Sequence, residues 1–113
     1  MDYPTEQKIA DFLQKKKIEF TREQPFILKQ NGSERWRIVY PDFYLMDYGI
    51  IIEFFGVQGK QSYDEKTKYK KDGYYTTGLK YISVYPNTEN WQEYVIQRIK
   101  TINKCRFESS NKL

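Results

Sequence analysis

The stretch YPDFYLMDYGIIIEFFG, residues 40 to 56, constrains the fold of this chain more than any other. Two apolar runs rich in β-branched and aromatic side chains flank Asp47, Tyr48 and Gly49, a grouping that favours a tight turn. A hairpin with Asp47 and Tyr48 as its loop pairs Met46 with Gly49, Leu45 with Ile50 and Asp42 with Glu53. Side-chain alternation then puts Phe43, Leu45, Ile50, Ile52 and Phe54 on one face, and Asp42 and Glu53 on the other. A bulge at the turn would shift this pairing by one residue. Carboxylates directly opposite each other, with Cβ atoms ~4.5–5.5 Å apart, destabilise a sheet unless something offsets their charge. The partner is either a basic side chain, drawn from 19 Lys and Arg, or solvent, or a divalent cation.

The flanking segments supply the rest of a sheet and its helices. PTEQKIADFLQKKKI has Ile9, Phe12 and Leu13 at helical spacing, with Pro4 or Thr5 to start the helix and a lysine run at its negative end. IEFTREQPFIL and RWRIVYPDFYL read as two strands joined by the turn QNGSE, and GIIIEFF as a third. SYDEKTKYKKDGYYTTG is expected to be a mostly exposed helix frayed at Gly73, and LKYISVYP a buried strand ended by Pro86. TENWQEYVIQRIKTI aligns Trp91, Tyr94, Val95, Ile99 and Ile102 on one helical stripe. The order is α-β-β-β-α-β-α, an α/β or α+β arrangement of helices on a mixed central sheet. One domain is expected over 1–105, with 106–113 a disordered polar tail.

Composition narrows the chemistry. A chain of 113 residues, 39% hydrophobic and 18% aromatic, can bury one real core. The net charge of +4 favours an anionic partner modestly. A lone cysteine, Cys105, rules out an internal disulfide and fits a reducing compartment. No apolar run reaches the ~18–20 residues of a membrane span, and the N-terminus carries no apolar signal segment, so a soluble cytoplasmic protein is expected. Histidine is absent, which removes the Ser-His-Asp and Cys-His nucleophile systems and the mixed Cys/His zinc sites. No glycine spacing matches a phosphate-cradling loop. Carboxylates, Lys, Tyr or an oxygen-bound metal must carry any chemistry.

Mg²⁺ takes oxygen ligands and is commonly held by one or two carboxylates together with water and phosphate. Glu53, set inside IIIEFF, weights the carboxylate pair toward such a cation. Glu6 lies three and seven residues before Ile9 and Leu13, on the apolar face of the first helix, which makes it a third candidate ligand. An acid at that position is equally well explained by the helix dipole.

A helix bearing an acid, then PD on one strand, then an acid ending an IIE strand resembles the PD-(D/E)XK nuclease superfamily. The likeness runs through Glu6, Pro41-Asp42 and Glu53 and covers roughly residues 4–100. It is closest to the small very-short-patch-repair-like branch, because EFFG at Glu53–Gly56 is followed by KYKKDGYYTTGLKYISV. The resemblance implies a restriction-endonuclease-like αβββαβ core and a DNA endonuclease that hydrolyses phosphodiester bonds. It implies Mg²⁺ or Mn²⁺ held by Asp42 and Glu53, with Glu6 through water. One departure stands out, since Phe55 occupies the position two after the strand acid where the family usually has lysine. Some members place the basic group on the following helix, which points to Lys70 here, with Lys68 and Lys60 as rivals. Each of these is also what a solvated surface lysine looks like. Gln58 fits a polar role near the metal, while Lys71, Arg35 and Arg37 join the lysines as phosphate contacts. Tyrosines interleaved with lysine could stack on unpaired bases or simply pack. A catalytically silent nucleic-acid-binding module and a tyrosine-rich protein-interaction domain are the alternatives. A homodimer is compatible with both nucleic-acid readings.

Overall fold

The computed structural model describes residues 2–29, 35–56 and 61–111, with side chains described except at 61–64 and 105–111. Helix α1, Glu6–Lys15, starts at Thr5, whose hydroxyl accepts the Lys8 N–H at 3.1 Å and satisfies one of the open donors of the first turn. It ends at Lys17, whose φ of 58° turns the chain back so that the Ile18 N–H reaches the Leu13 carbonyl at 2.9 Å.

The two long strands expected next each divide in two. The first breaks where Glu23 adopts φ 54° and Pro25 follows, leaving β1, Thr21–Arg22, and β2, Phe26–Lys29. The second breaks at Pro41, leaving β3, Trp36–Val39, and β4, Phe43–Leu45. Antiparallel pairing is nevertheless in one continuous register, from Thr21 opposite Tyr44 to Lys29 opposite Trp36. The segment is therefore a single long hairpin that bends at Glu23 and Pro41. Its base, β1 and β4, belongs to the main sheet, and its outer half, β2 and β3, forms a second sheet.

Strand β5, Ile50–Phe54, pairs with β4 in the expected register, Leu45 with Ile50 and Phe43 with Ile52. The connection is a four-residue turn rather than the two-residue loop expected from Asp47 and Tyr48. The N–H groups of Tyr48 and Gly49 both reach the Leu45 carbonyl, and Gly49 takes φ 65°. Helix α2, Gln61–Thr77, then carries the chain to β6, Lys80–Val84, which runs parallel to β5. Helix α3, Trp91–Asn111, closes the chain and continues through the polar residues expected to form a tail after 105. The main sheet has the order β1-β4-β5-β6, so the described residues form a mixed α+β fold with three helices.

Both faces of this sheet are covered. On one, Phe43, Leu45, Ile50, Ile52, Ile82 and Val84 pack with Ile9 and Leu13 of α1 and Trp91, Val95, Ile99 and Ile102 of α3. Tyr94, expected on the same stripe, is exposed instead. On the other, Ile51 packs with Leu28, Val39 and Tyr74, so the face that bears Glu53 lies under α2 and the bent hairpin. Helix α2 runs unbroken through Gly73, where fraying was expected. A Cβ there would lie 2.8 Å from Leu28 Cδ1, so glycine is what lets α2 approach β2 closely. No helix among the described residues is long and apolar enough to cross a membrane.

Candidate functional site

Asp42 stands just before β4, and Glu53 is the fourth residue of β5. Extending the β4–β5 register by one residue puts them opposite each other. Asp42 Oδ2 accepts the Phe54 N–H at 2.7 Å, which fixes its carboxylate against the end of β5. Glu53 is 2% exposed, and both of its oxygens are engaged from α2: Tyr74 donates its hydroxyl to Oε1 at 2.8 Å, and Lys70 Nζ lies 3.3 Å from Oε2. Lys70 and Tyr74 are four residues apart, so one helical turn aims both at the same carboxylate.

The electrostatics follow from burial and proximity. Desolvation, reinforced by the negative charge of Glu53, pushes the Asp42 carboxyl up to about 7 from its ordinary 3.8. The Phe54 N–H opposes that rise, and the hydrogen bond and charge of Glu6 add to it. Burial and the Glu53 charge also raise Tyr74, which keeps its hydroxyl protonated and able to donate.

Glu6 is at the rim rather than within an apolar face. Its side chain is 51% exposed, while Ile9 and Leu13 of the same helix are buried. Arg22 joins it to the site: NH2 lies 3.4 Å from Glu6 Oε1, and Nε donates to the Asp42 carbonyl at 3.2 Å. The guanidinium also rests 4.5 Å from the Phe43 ring centroid. Glu6, Asp42, Glu53 and Lys70 together line one cleft of about 470 Å³, with Thr5, Lys66 and Thr67.

The other described basic candidates do not line this cleft. Lys68 is exposed on α2 and does not line the cleft. Lys71 hydrogen-bonds the Tyr85 hydroxyl and lies 5.1 Å from the Phe55 ring centroid. Arg37, on β3, stacks 5.1 Å from the Tyr69 ring centroid, and Arg35 is exposed just before β3. Gln58 and Lys60 lie outside the described residues. Phe55 is buried, with its ring 5.7 Å from that of Tyr85 and its N–H bonded to the Val84 carbonyl, so this position serves packing and the ladder.

Three further residues complete the site without having been expected there. Tyr74 and Lys66 each lie one turn from Lys70, a helical spacing that marks them once Lys70 is chosen. Arg22 has no such signal, because its place depends on β1 pairing with β4.

Among the described residues, no group of three or more His, Cys, Asp or Glu side chains is arranged to hold a metal ion. Asp42 and Glu53 remain as a pair of hard oxygen donors whose mutual repulsion a cation would relieve. Such a pair suits Mg²⁺ or Mn²⁺ if water and phosphate oxygens complete the shell. No family model, curated protein or solved structure matches the chain.

Proposed function

We propose that this protein is a divalent-metal-dependent endodeoxyribonuclease with a restriction-endonuclease-like core of the PD-(D/E)XK kind. The observation that carries the reading is the convergence of Asp42, Glu53 and Lys70 on one cleft, with the helix lysine 3.3 Å from the strand carboxylate. That lysine stands in for the one that Phe55 displaces.

Asp42 and Glu53 would hold Mg²⁺ or Mn²⁺, which when bound would supply positive charge for a phosphate and lower the pKa of a water. The chain's own groups supply the positioning. The Phe54 N–H orients Asp42, and Tyr74 orients Glu53. Lys70 offers a fixed positive charge at the cleft for the oxygens on which charge develops. Arg22 ties Glu6 to the Asp42 backbone, so the acid of α1 is held at the same opening. DNA fits the net charge of +4, and a reducing, cytoplasmic setting fits the lone cysteine.

Cleavage of supercoiled, linear, single-stranded and branched DNA with Mn²⁺, Mg²⁺ or EDTA tests the proposal. Glu53→Gln keeps a partner for Tyr74 and should abolish metal-dependent cutting while the protein stays folded. Cutting that survives in Glu53→Gln, or none with any metal and substrate, rejects it.

A catalytically silent nucleic-acid-binding module is the second reading. It is favoured by the buried Phe55 and by a Glu53 carboxylate already engaged at both oxygens. A silent module would gain no thermal stability from Mn²⁺ or Mg²⁺ that depends on Asp42 and Glu53.

A further inference from the structure

The bent hairpin carries an outer face that the site does not use. Phe26, Leu28 and Val39 point inward and pack toward Tyr44, Tyr74 and Ile51. Strand alternation sends Ile27, Trp36, Ile38 and Tyr40 the other way, where they are 60%, 61%, 59% and 56% exposed. These large side chains form one patch, since Ile27 is paired with Ile38 and Trp36 with Lys29. Soluble proteins rarely leave such a cluster uncovered without a partner for it.

From this patch we infer that the outer face of β2–β3 is a stacking platform for unpaired bases of a single-stranded or gapped nucleic acid on its way to the cleft. The inference rests on the nucleic-acid reading of the Asp42 and Glu53 site and names its substrate class. Charge selects the occupant. On the patch face the described residues of the hairpin's outer half, 26–29 and 35–40, carry Lys29 and no acid, with its Nζ 6.0 Å from the Trp36 ring centroid, while Arg37 turns to Tyr69 on the other face. A second copy docked through the same patch would bring no acid from its described patch residues to meet Lys29. A single strand presents phosphates to Lys29 and aromatic faces to Trp36 and Tyr40, the pairing of groups that single-strand binders use.

Direction also favours this occupant. Trp36, Ile38 and Tyr40 follow one another along β3 and its extension, a stripe of roughly 13 Å at the usual strand rise. Tyr40 is two residues before Asp42, so their Cα atoms are at most about 7 Å apart. The stripe thus ends two residues from Asp42, the hairpin residue that lines the cleft. Duplex DNA exposes phosphates and groove edges, so a paired substrate offers this stripe far less to stack on.

The test is binding in EDTA, which separates the platform from the chemistry of the cleft. Full-length protein is titrated with a labelled oligothymidylate and with a duplex of equal length. Trp36→Ala and Tyr40→Ala should each weaken single-strand binding by about tenfold, with Trp36→Ala leaving duplex binding within about twofold. Tyr75→Ala, an exposed position on α2, should change neither. Because Trp91 is buried, quenching of tryptophan emission by the oligothymidylate should come from Trp36 and vanish in Trp36→Phe, which keeps a stacking ring and the affinity. Unchanged single-strand binding in both alanine variants overturns the inference, even if the wild-type cuts DNA. So does a wild-type dimer in sedimentation that Trp36→Ala converts to monomer, since a second copy then covers the patch. Trp36-dependent binding in a protein that never cuts supports the platform and rejects only the nuclease proposal.

Discussion

The Tyr74 hydroxyl lies 2.8 Å from Glu53 Oε1 and donates to it, holding a carboxylate on β5 from a residue one turn beyond Lys70 on α2. This bond and the Lys70 contact explain how the sheet tolerates a fully buried acid. The carboxylate has exchanged water for a phenol and an ammonium, and its orientation toward the cleft is set before any ligand arrives.

Tyr74→Phe removes only the hydroxyl, and a buried acceptor that loses one donor costs ~1–2 kcal/mol. We expect urea denaturation to show a loss of that size. Combining the change with Glu53→Met, which removes the acceptor, should give less than the sum of the two single effects, because both then act on one bond. Strict additivity would mean that the hydroxyl and the carboxylate do not interact.

Lys70 partly neutralises Glu53, and its own side chain is 30% exposed. Removing one member of a fully buried ion pair costs ~3–5 kcal/mol, and partial solvation should bring the cost of Lys70→Met down to ~2 kcal/mol. Glu53→Gln together with Lys70→Met should recover most of that loss. If the proposed chemistry holds, Lys70→Met also abolishes cutting yet keeps Mn²⁺-dependent thermal stabilisation, whereas Asp42→Asn loses both.

Asp42 gives the metal-free protein a pH dependence of definite sign. Its carboxyl is pushed up to about 7 in the fold from an ordinary 3.8, so the native state holds the proton more tightly than the unfolded chain. This group's contribution to stability is complete below pH ~4 and is lost as the pH rises toward 7. Melting temperatures of the wild-type in EDTA should therefore fall relative to Asp42→Asn across that window. If the proposed cation binds Asp42, stabilisation by Mn²⁺ should grow across that window, because the cation must displace the same proton. Parallel curves for the two proteins would remove Asp42 as the titrating group.

Gly73 tests the packing of α2 on the hairpin. Alanine there should gain ~1 kcal/mol of helix propensity but must displace Leu28, which is fully buried. We expect a net loss of ~1 kcal/mol for Gly73→Ala. In a Leu28→Val background the same change should cost less, and a cost that does not depend on residue 28 would locate the strain elsewhere.

Much of the site is legible in the amino-acid sequence. The alternation in PDFYL and IIIEFF places Asp42 opposite Glu53, because a strand period of two leaves little freedom once the turn is located. The length of the turn is less tightly specified, since Asp47-Tyr48-Gly49 is compatible with two-residue and four-residue loops that share a register. Lys70 is marked by the family resemblance alone, with Lys68 and Lys60 as rivals, and Glu6 by an apolar-face spacing that its 51% exposure does not match. Helix and strand types along the chain are legible from periodicity for the same local reason.

What needed the tertiary structure is everything that depends on distant partners. Two apparent strands each became two at a shared bend, where Glu23 takes a positive φ and its N–H reaches the Pro41 carbonyl at 3.1 Å. That bend folds the hairpin over the second sheet face, where Leu28 and Val39 form a core with Ile51 and Tyr74. Gly73 reads locally as a helix breaker, yet it is a point of contact with Leu28. Arg22 reaches the site only through the pairing of β1 with β4. Local sequence determined which residues alternate and where helices begin, because those follow from backbone geometry a few residues at a time. Which face is buried, and what holds a carboxylate inside it, was decided by segments brought together across the fold.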